Sequence, residues 1–124
     1  MPFELGIAVG LKKFGGRRYS SHSLLVLESV KYTYQKCLSD IAGQDAQAHA
    51  GDSAKLIELV RNWLRTESKR SDIPGGRIIA AEFARFEAML PQICTKGGLT
   101  REDLPYVELL GLTQAWLEEA NTRA

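Results

Sequence analysis

Among the ionisable side chains of this 124-residue sequence, Glu4 is the one whose setting asks for chemistry. It is the only acid between Phe3 and Phe14, where Leu5, Ile7, Ala8, Val9 and Leu11 leave few wet positions. That run reads as a helix buried between layers. A carboxylate in such a place is expensive unless a partner or a task compensates for its desolvation. An isolated carboxylate can act as a nucleophile or stabilise positive charge developing at an anomeric carbon. The same group near a helix N-terminus is favoured by ~0.3–1 kcal/mol with no catalytic role, so capping is the competing use.

Asp40, Asp45 and His49 are close enough in sequence to form a polar cluster beside a cleft, although turn capping explains both aspartates as well. His22 and His49 have no companion at metal-ligand spacing and read as structural histidines. Cys37 and Cys94 form no CxxC pair, which suits reduced core thiols of a cytoplasmic protein better than a nucleophile or metal site. Lys12, Lys13, Arg17 and Arg18 make a small basic cluster whose plain use is a solvated helix end rather than a phosphate site. PGGR at 74–77 leaves backbone N–H groups open to an anion but matches neither a Walker loop nor a dinucleotide fingerprint, and a helix start is favoured.

A helix carrying Glu4-Leu5-Gly6 and leading into the apolar stretch Leu24 to Leu27 resembles the nucleoside 2-deoxyribosyltransferase and TIR-like superfamily. There, a glutamate-bearing helix precedes a core strand of a flavodoxin-like sheet. The likeness is good over about a quarter of the chain and looser over LSDIAGQDAQAH, which resembles the loop and edge strand that follow. It implies that Glu4 is catalytic, that Gly6, Asp45 and His49 contact substrate, and that the reaction cleaves an N-glycosidic bond in NAD or a nucleoside. It implies no cofactor and no metal; a nucleotide enters as substrate. In that superfamily the glutamate helix follows several strands that supply phosphate and ribose contacts, whereas here it begins at Met1. The expectation is therefore the C-terminal half of a longer domain, inactive alone.

The elements that would position these residues follow from pattern. Gly15 and Gly16 stop the first helix, with Lys12 and Lys13 at its negative end. After a polar turn, Ser23 to Glu28 reads as a short buried strand. Tyr32 to Ile41 suits a short helix ended by Gly43, and Asp45 to His49 an edge strand. Asp52 or Ser53 caps a helix through Thr66 whose apolar face is Leu56, Ile57, Val60, Trp63 and Leu64, with Arg61 in water and Trp63 as a packing anchor. After the linker TESKRSD, a helix from Arg77 is predicted to stop at Leu90 before Pro91, with Glu82, Arg85 and Glu87 outside. Thr100 and Asp103 read as a capping pair for a last helical region buried through Leu104, Val107, Leu110, Trp116 and Leu117, with a first turn split off at Pro105 and a frayed tail.

The expected class is α/β: a mostly helical chain with one or two strands, like the second half of a flavodoxin-like three-layer domain plus C-terminal helices. One domain is expected over 1–124, with a TIR-like part at 1–66 and a helical extension at 73–120. With 44% apolar residues, 25% charged and a net charge of +1, the chain suits one modest core and lacks the basic excess of a nucleic-acid binder. No apolar run approaches the ~20 residues of a membrane span. The second functional expectation is a non-catalytic helical binding or assembly module, a homo-oligomer through the Phe3 to Phe14 helix.

Overall fold

The computed structural model describes residues 2–31 and 46–123. In chain order the elements are α1 (Pro2–Phe14), α2 (Arg17–Ser20), β1 (Val26–Glu28), β2 (Ala46–Ala48), α3 (Ser53–Ser68), α4 (Gly76–Lys96) and α5 (Tyr106–Arg123). The fold is thus mostly helical with two short strands, a mixed α/β class. The expected helix at 32–41, Asp40, Asp45 and Cys37 lie outside the described residues. The chain divides into two compact units, Met1–Arg77 and Ile78–Ala124, so the boundary falls in the first turn of α4 rather than in the charged linker.

In the first unit, α1 spans the predicted segment but is not buried. Phe3 and Phe14 are 77% and 79% exposed, and Ile7 and Leu11 are also exposed, while Leu5, Ala8 and Val9 are half-buried. The expectation of an interior helix is corrected: apolar content on all sides did not secure cover on all sides. The turn after α1 depends on Gly16, whose φ of 74° and ψ of −169° fall in a region essentially reserved for glycine. It leads into α2, a single helical turn where a polar turn is expected from the sequence.

β1 and β2 pair in parallel, with Val26 opposite Ala46 and Glu28 opposite Ala48. The strand predicted from Ser23 is thus only Val26–Glu28, and it is not buried along its length as expected. Leu27 points to the exposed side and Glu28 is buried, because successive side chains of a strand alternate. The edge strand expected at 45–49 is present as β2.

Asp52 caps α3 as expected: its Oδ1 accepts from the Ala54 and Lys55 amides at 2.8 and 3.1 Å. The half-buried face is Leu56, Ile57, Val60 and Trp63, and the Trp63 indole N–H donates to Ser23 Oγ at 3.3 Å, tying α3 to the segment before β1. Arg61, expected in water, is half-buried. Its guanidinium donates to the Pro74 and Ile73 carbonyls at 2.7 and 3.0 Å and holds the interhelix segment against α3. Gly76 sits there against Glu58, where a Cβ would come within 3.3 Å of the Glu58 Cα, so PGGR serves close packing and a helix start.

The second unit packs α4 on α5 around Phe86, Leu90 and Cys94, with Leu99, Leu104, Leu109, Leu112 and Trp116 against them. Contrary to expectation, α4 runs through Pro91 to Lys96. Proline removes one helical donor and crowds the preceding turn, but Phe86, Leu90 and Cys94 at intervals of four continue one buried stripe across it. The helix closes in a Schellman motif, the Leu99 amide donating to the Cys94 carbonyl at 2.9 Å and the Gly98 amide to the Thr95 carbonyl at 3.1 Å. Thr100 and Asp103 are hydrogen-bonded at 2.7 Å, yet α5 starts only after Pro105, whose carbonyl accepts from Glu108 and Leu109. Its half-buried side, packed on the core, is Leu109, Leu112 and Trp116; Val107, Leu110 and Leu117 are exposed, and the tail expected to fray is helical to Arg123. Glu82 and Glu87, placed outside by the reading, are engaged by Trp116 and Arg101.

Candidate functional site

Parallel strands present their ligand-binding edge at their carboxyl ends. In the first unit that edge is built from Glu28 and the residues after it, and from His49 to Gly51 after β2. Glu28, 8% exposed, is the one buried charged residue among the described residues. The His49 amide extends the ladder by donating to the Glu28 carbonyl at 2.9 Å. Ala50 and Gly51 then take φ values of 55° and 76°, and the Asp52 amide donates back to the His49 carbonyl at 2.9 Å. Two positive φ values closed by this bond make a primed turn, which delivers Asp52 directly to its capping position on α3.

That turn also fixes the histidine. The Gly51 amide donates to His49 Nδ1 at 3.2 Å, so the neutral imidazole carries its proton on Nε2 and offers a donor there. Beside it lies a hollow of about 490 Å³ lined by Ser29, Val30, Lys31, Ala48, Ala50 and Gly51. Its lining includes neither His49 nor Glu4.

The predicted site residues fall on two different features. His49 belongs to the strand edge, while Glu4 and Gly6 belong to α1, and Asp45 is outside the described residues. Glu4 is exposed in the first turn of α1. Its carboxyl titrates below the ordinary range, first through a hydrogen bond with the chain's α-ammonium group and then through one with its own backbone amide. Its carboxyl thus lies in water rather than in an apolar pocket. A Cβ built on Gly6 meets nothing within 4 Å, and the same holds for Gly10. The reading missed Glu28; the alternation implicit in Val26-Leu27-Glu28 was its signal, hidden by the four apolar residues before it.

Neither a family model, nor a curated protein, nor a solved structure matches this chain. The chemistry therefore rests on geometry. Among the described residues no group of three His, Cys, Asp or Glu side chains is placed to hold a metal ion, and no helix is long and apolar enough to cross a membrane. A second cavity of about 270 Å³ in the α4–α5 unit is lined mainly by apolar residues, among them Ile93, Leu99, Leu104 and Leu112, with Glu108 as its charged member.

An unassigned apolar surface lies on α1. Phe3, Ile7, Leu11 and Phe14 lie within ~80° of the helix circumference at 3.6 residues per turn, and all four are exposed. Spacing of four, four and three is the anchor pattern of a helix that docks on a partner.

Proposed function

We propose that this chain is a binding and assembly module whose contact element is α1. The observation that carries the reading is the stripe of Phe3, Ile7, Leu11 and Phe14, 77%, 49%, 41% and 79% exposed on one side of a single helix. Isolated exposed apolar residues are ordinary, but four aligned on one helix side are the mark of an interaction surface. Lys12 and Lys13 frame one end of the stripe and Glu4 the other, as polar residues rim a docking face. The thiol of Cys94, buried and free, accords with action in the reducing cytoplasm. The test is binding of an apolar fluorescent dye: the wild-type chain should enhance its emission, and Ile7→Glu with Leu11→Glu should remove at least half of the enhancement. Equal emission from both proteins would overturn the reading.

A second reading is an N-glycosidase of the TIR-like or deoxyribosyltransferase-like kind, on half of a flavodoxin-like domain. What favours it is the parallel pair β1–β2 with buried Glu28 and tautomer-fixed His49 at its carboxyl edge. Water would replace nicotinamide at the ribosyl anomeric carbon of NAD, the C–N bond breaking as a C–O bond forms and a proton leaves the water, with Glu4 supplying the negative charge. Nicotinamide release that Glu4→Gln abolishes would establish it; release unaffected by that change would remove Glu4 from the chemistry.

A further inference from the structure

The rows of side chains on α1 differ in kind. Phe3, Ile7 and Leu11, four apart, form a ridge of large apolar groups, and beside it Gly6 and Gly10, also four apart, form a trough. A Cβ added at either glycine would meet no described residue within 4 Å, so none of the described residues fills that trough. Helices pack by setting the ridge of one into the groove of the other, and rows of spacing four on both give crossings near −50°. One helix here carries both the ridge and the trough that would receive it. A surface complementary to itself is what a two-fold interface requires.

We propose that α1 pairs with the α1 of a second copy of this chain, the Phe3-Ile7-Leu11 ridge of each lying in the Gly6-Gly10 trough of the other. This rests on the reading of α1 as a docking face and names what docks. Crossing helices are closest at the centre and diverge toward their ends; the small residues Gly6 and Gly10 sit near the middle of α1, and Phe3 and Phe14 fill the widening ends. An antiparallel crossing also sets the Glu4 end of each helix alongside the Lys12 and Lys13 end of the other and opposes the two helix dipoles. The helix is ~20 Å long, too short for the ~800 Å² per partner of a tight interface, so the pairing is weak, with a dissociation constant of roughly 10–500 μM.

Sedimentation equilibrium of the full chain from about 5 μM to 1 mM tests this, with Gly10→Leu as the deciding variant. The wild type should move from the 13.8 kDa monomer toward twice that mass. Gly10→Leu adds apolar surface and a better helix former, and its Cβ meets none of the described residues, so unspecific stickiness would strengthen association. Ridge-into-trough packing predicts the opposite, a loss of about tenfold or more, with helix content by circular dichroism at least that of the wild type. A wild type that stays monomeric to 1 mM, or a Gly10→Leu chain that associates as well or better, overturns the proposal. Either result leaves the dye test of the α1 docking face standing on its own.

Discussion

The indole N–H of Trp116 donates to Glu82 Oε1 at 2.7 Å, joining α5 to α4 across 34 positions of sequence. The same Trp116 ring meets Phe86 edge-on, centroids 5.6 Å apart, so its apolar body and polar tip fasten the two helices together. Glu82 also accepts from Arg85 at 3.2 Å, which leaves its carboxylate partly compensated if the indole is lost. Trp116→Phe is therefore expected to destabilise the chain by about 1–2 kcal/mol, the cost of a charge-assisted hydrogen bond to a half-buried group. Urea unfolding followed by far-ultraviolet circular dichroism measures it.

The turn between β2 and α3 holds a non-glycine residue at positive φ, Ala50 at 55°. Asparagine tolerates that conformation better than alanine, and Asn-Gly is the preferred pair at the centre of such turns. Ala50→Asn should raise stability by about 0.5–1 kcal/mol, visible as a higher melting temperature. A fall in melting temperature would count against this turn geometry.

Asp52 caps α3 with its side chain, accepting from two amides. Asp52→Ala is expected to cost about 1 kcal/mol and Asp52→Asn much less, since asparagine retains the accepting oxygen. Thermal melts of the two variants side by side separate the cap from a general charge effect.

Arg70 and Asp72 form an exposed fork, with Arg70 Nε at 2.9 Å from Asp72 Oδ1 and a second bond from Nη2 to Oδ2. The hydrogen bonds from Arg70 hold the Asp72 carboxyl down to about 2 from 3.8, with a backbone hydrogen bond to its own amide assisting. Because the folded value is the lower one, the pairing favours the folded state above the unfolded value of 3.8 and is lost as pH falls toward 2. A carboxyl-carbon NMR titration should place the Asp72 midpoint near 2, and Arg70→Ala should return it toward 3.8. An unchanged midpoint in that variant would sink the assignment.

How far the sequence was legible depended on whether the signal was local. The Asp52 cap, the glycine stop after α1 and the start of α4 at PGGR are written in a few adjacent residues, and each has its counterpart in the structure; the Thr100–Asp103 bond forms too, but as a turn before Pro105 rather than as the cap of α5. Burial was harder, because it depends on what stands opposite. Val107 and Leu110 have the same character as Leu109 and Leu112, and only contact with α4 decides which pair is covered. Pro91 marked a helix end by local rule, yet the stripe of Phe86, Leu90 and Cys94 carries α4 past it. Glu82 and Arg61 were read as water-facing by type, and each has a partner more than ten residues away. In the candidate site, His49 was visible as a residue type, whereas its fixed tautomer needed the turn, and the exposed stripe of α1 was mistaken for an interior face.

Arg61 clamps residues 73 and 74 through carbonyl oxygens rather than a carboxylate. A guanidinium keeps its charge across all ordinary pH, and a backbone carbonyl has no proton to gain or lose. Neither acidification nor moderate salt removes a partner from this joint, in contrast to the Arg70–Asp72 fork a few residues before it. The route of the chain from α3 into α4 should accordingly persist under conditions that dissolve its surface ion pairs, making this junction the fixed point from which acid-induced loosening of the first unit would be seen to proceed.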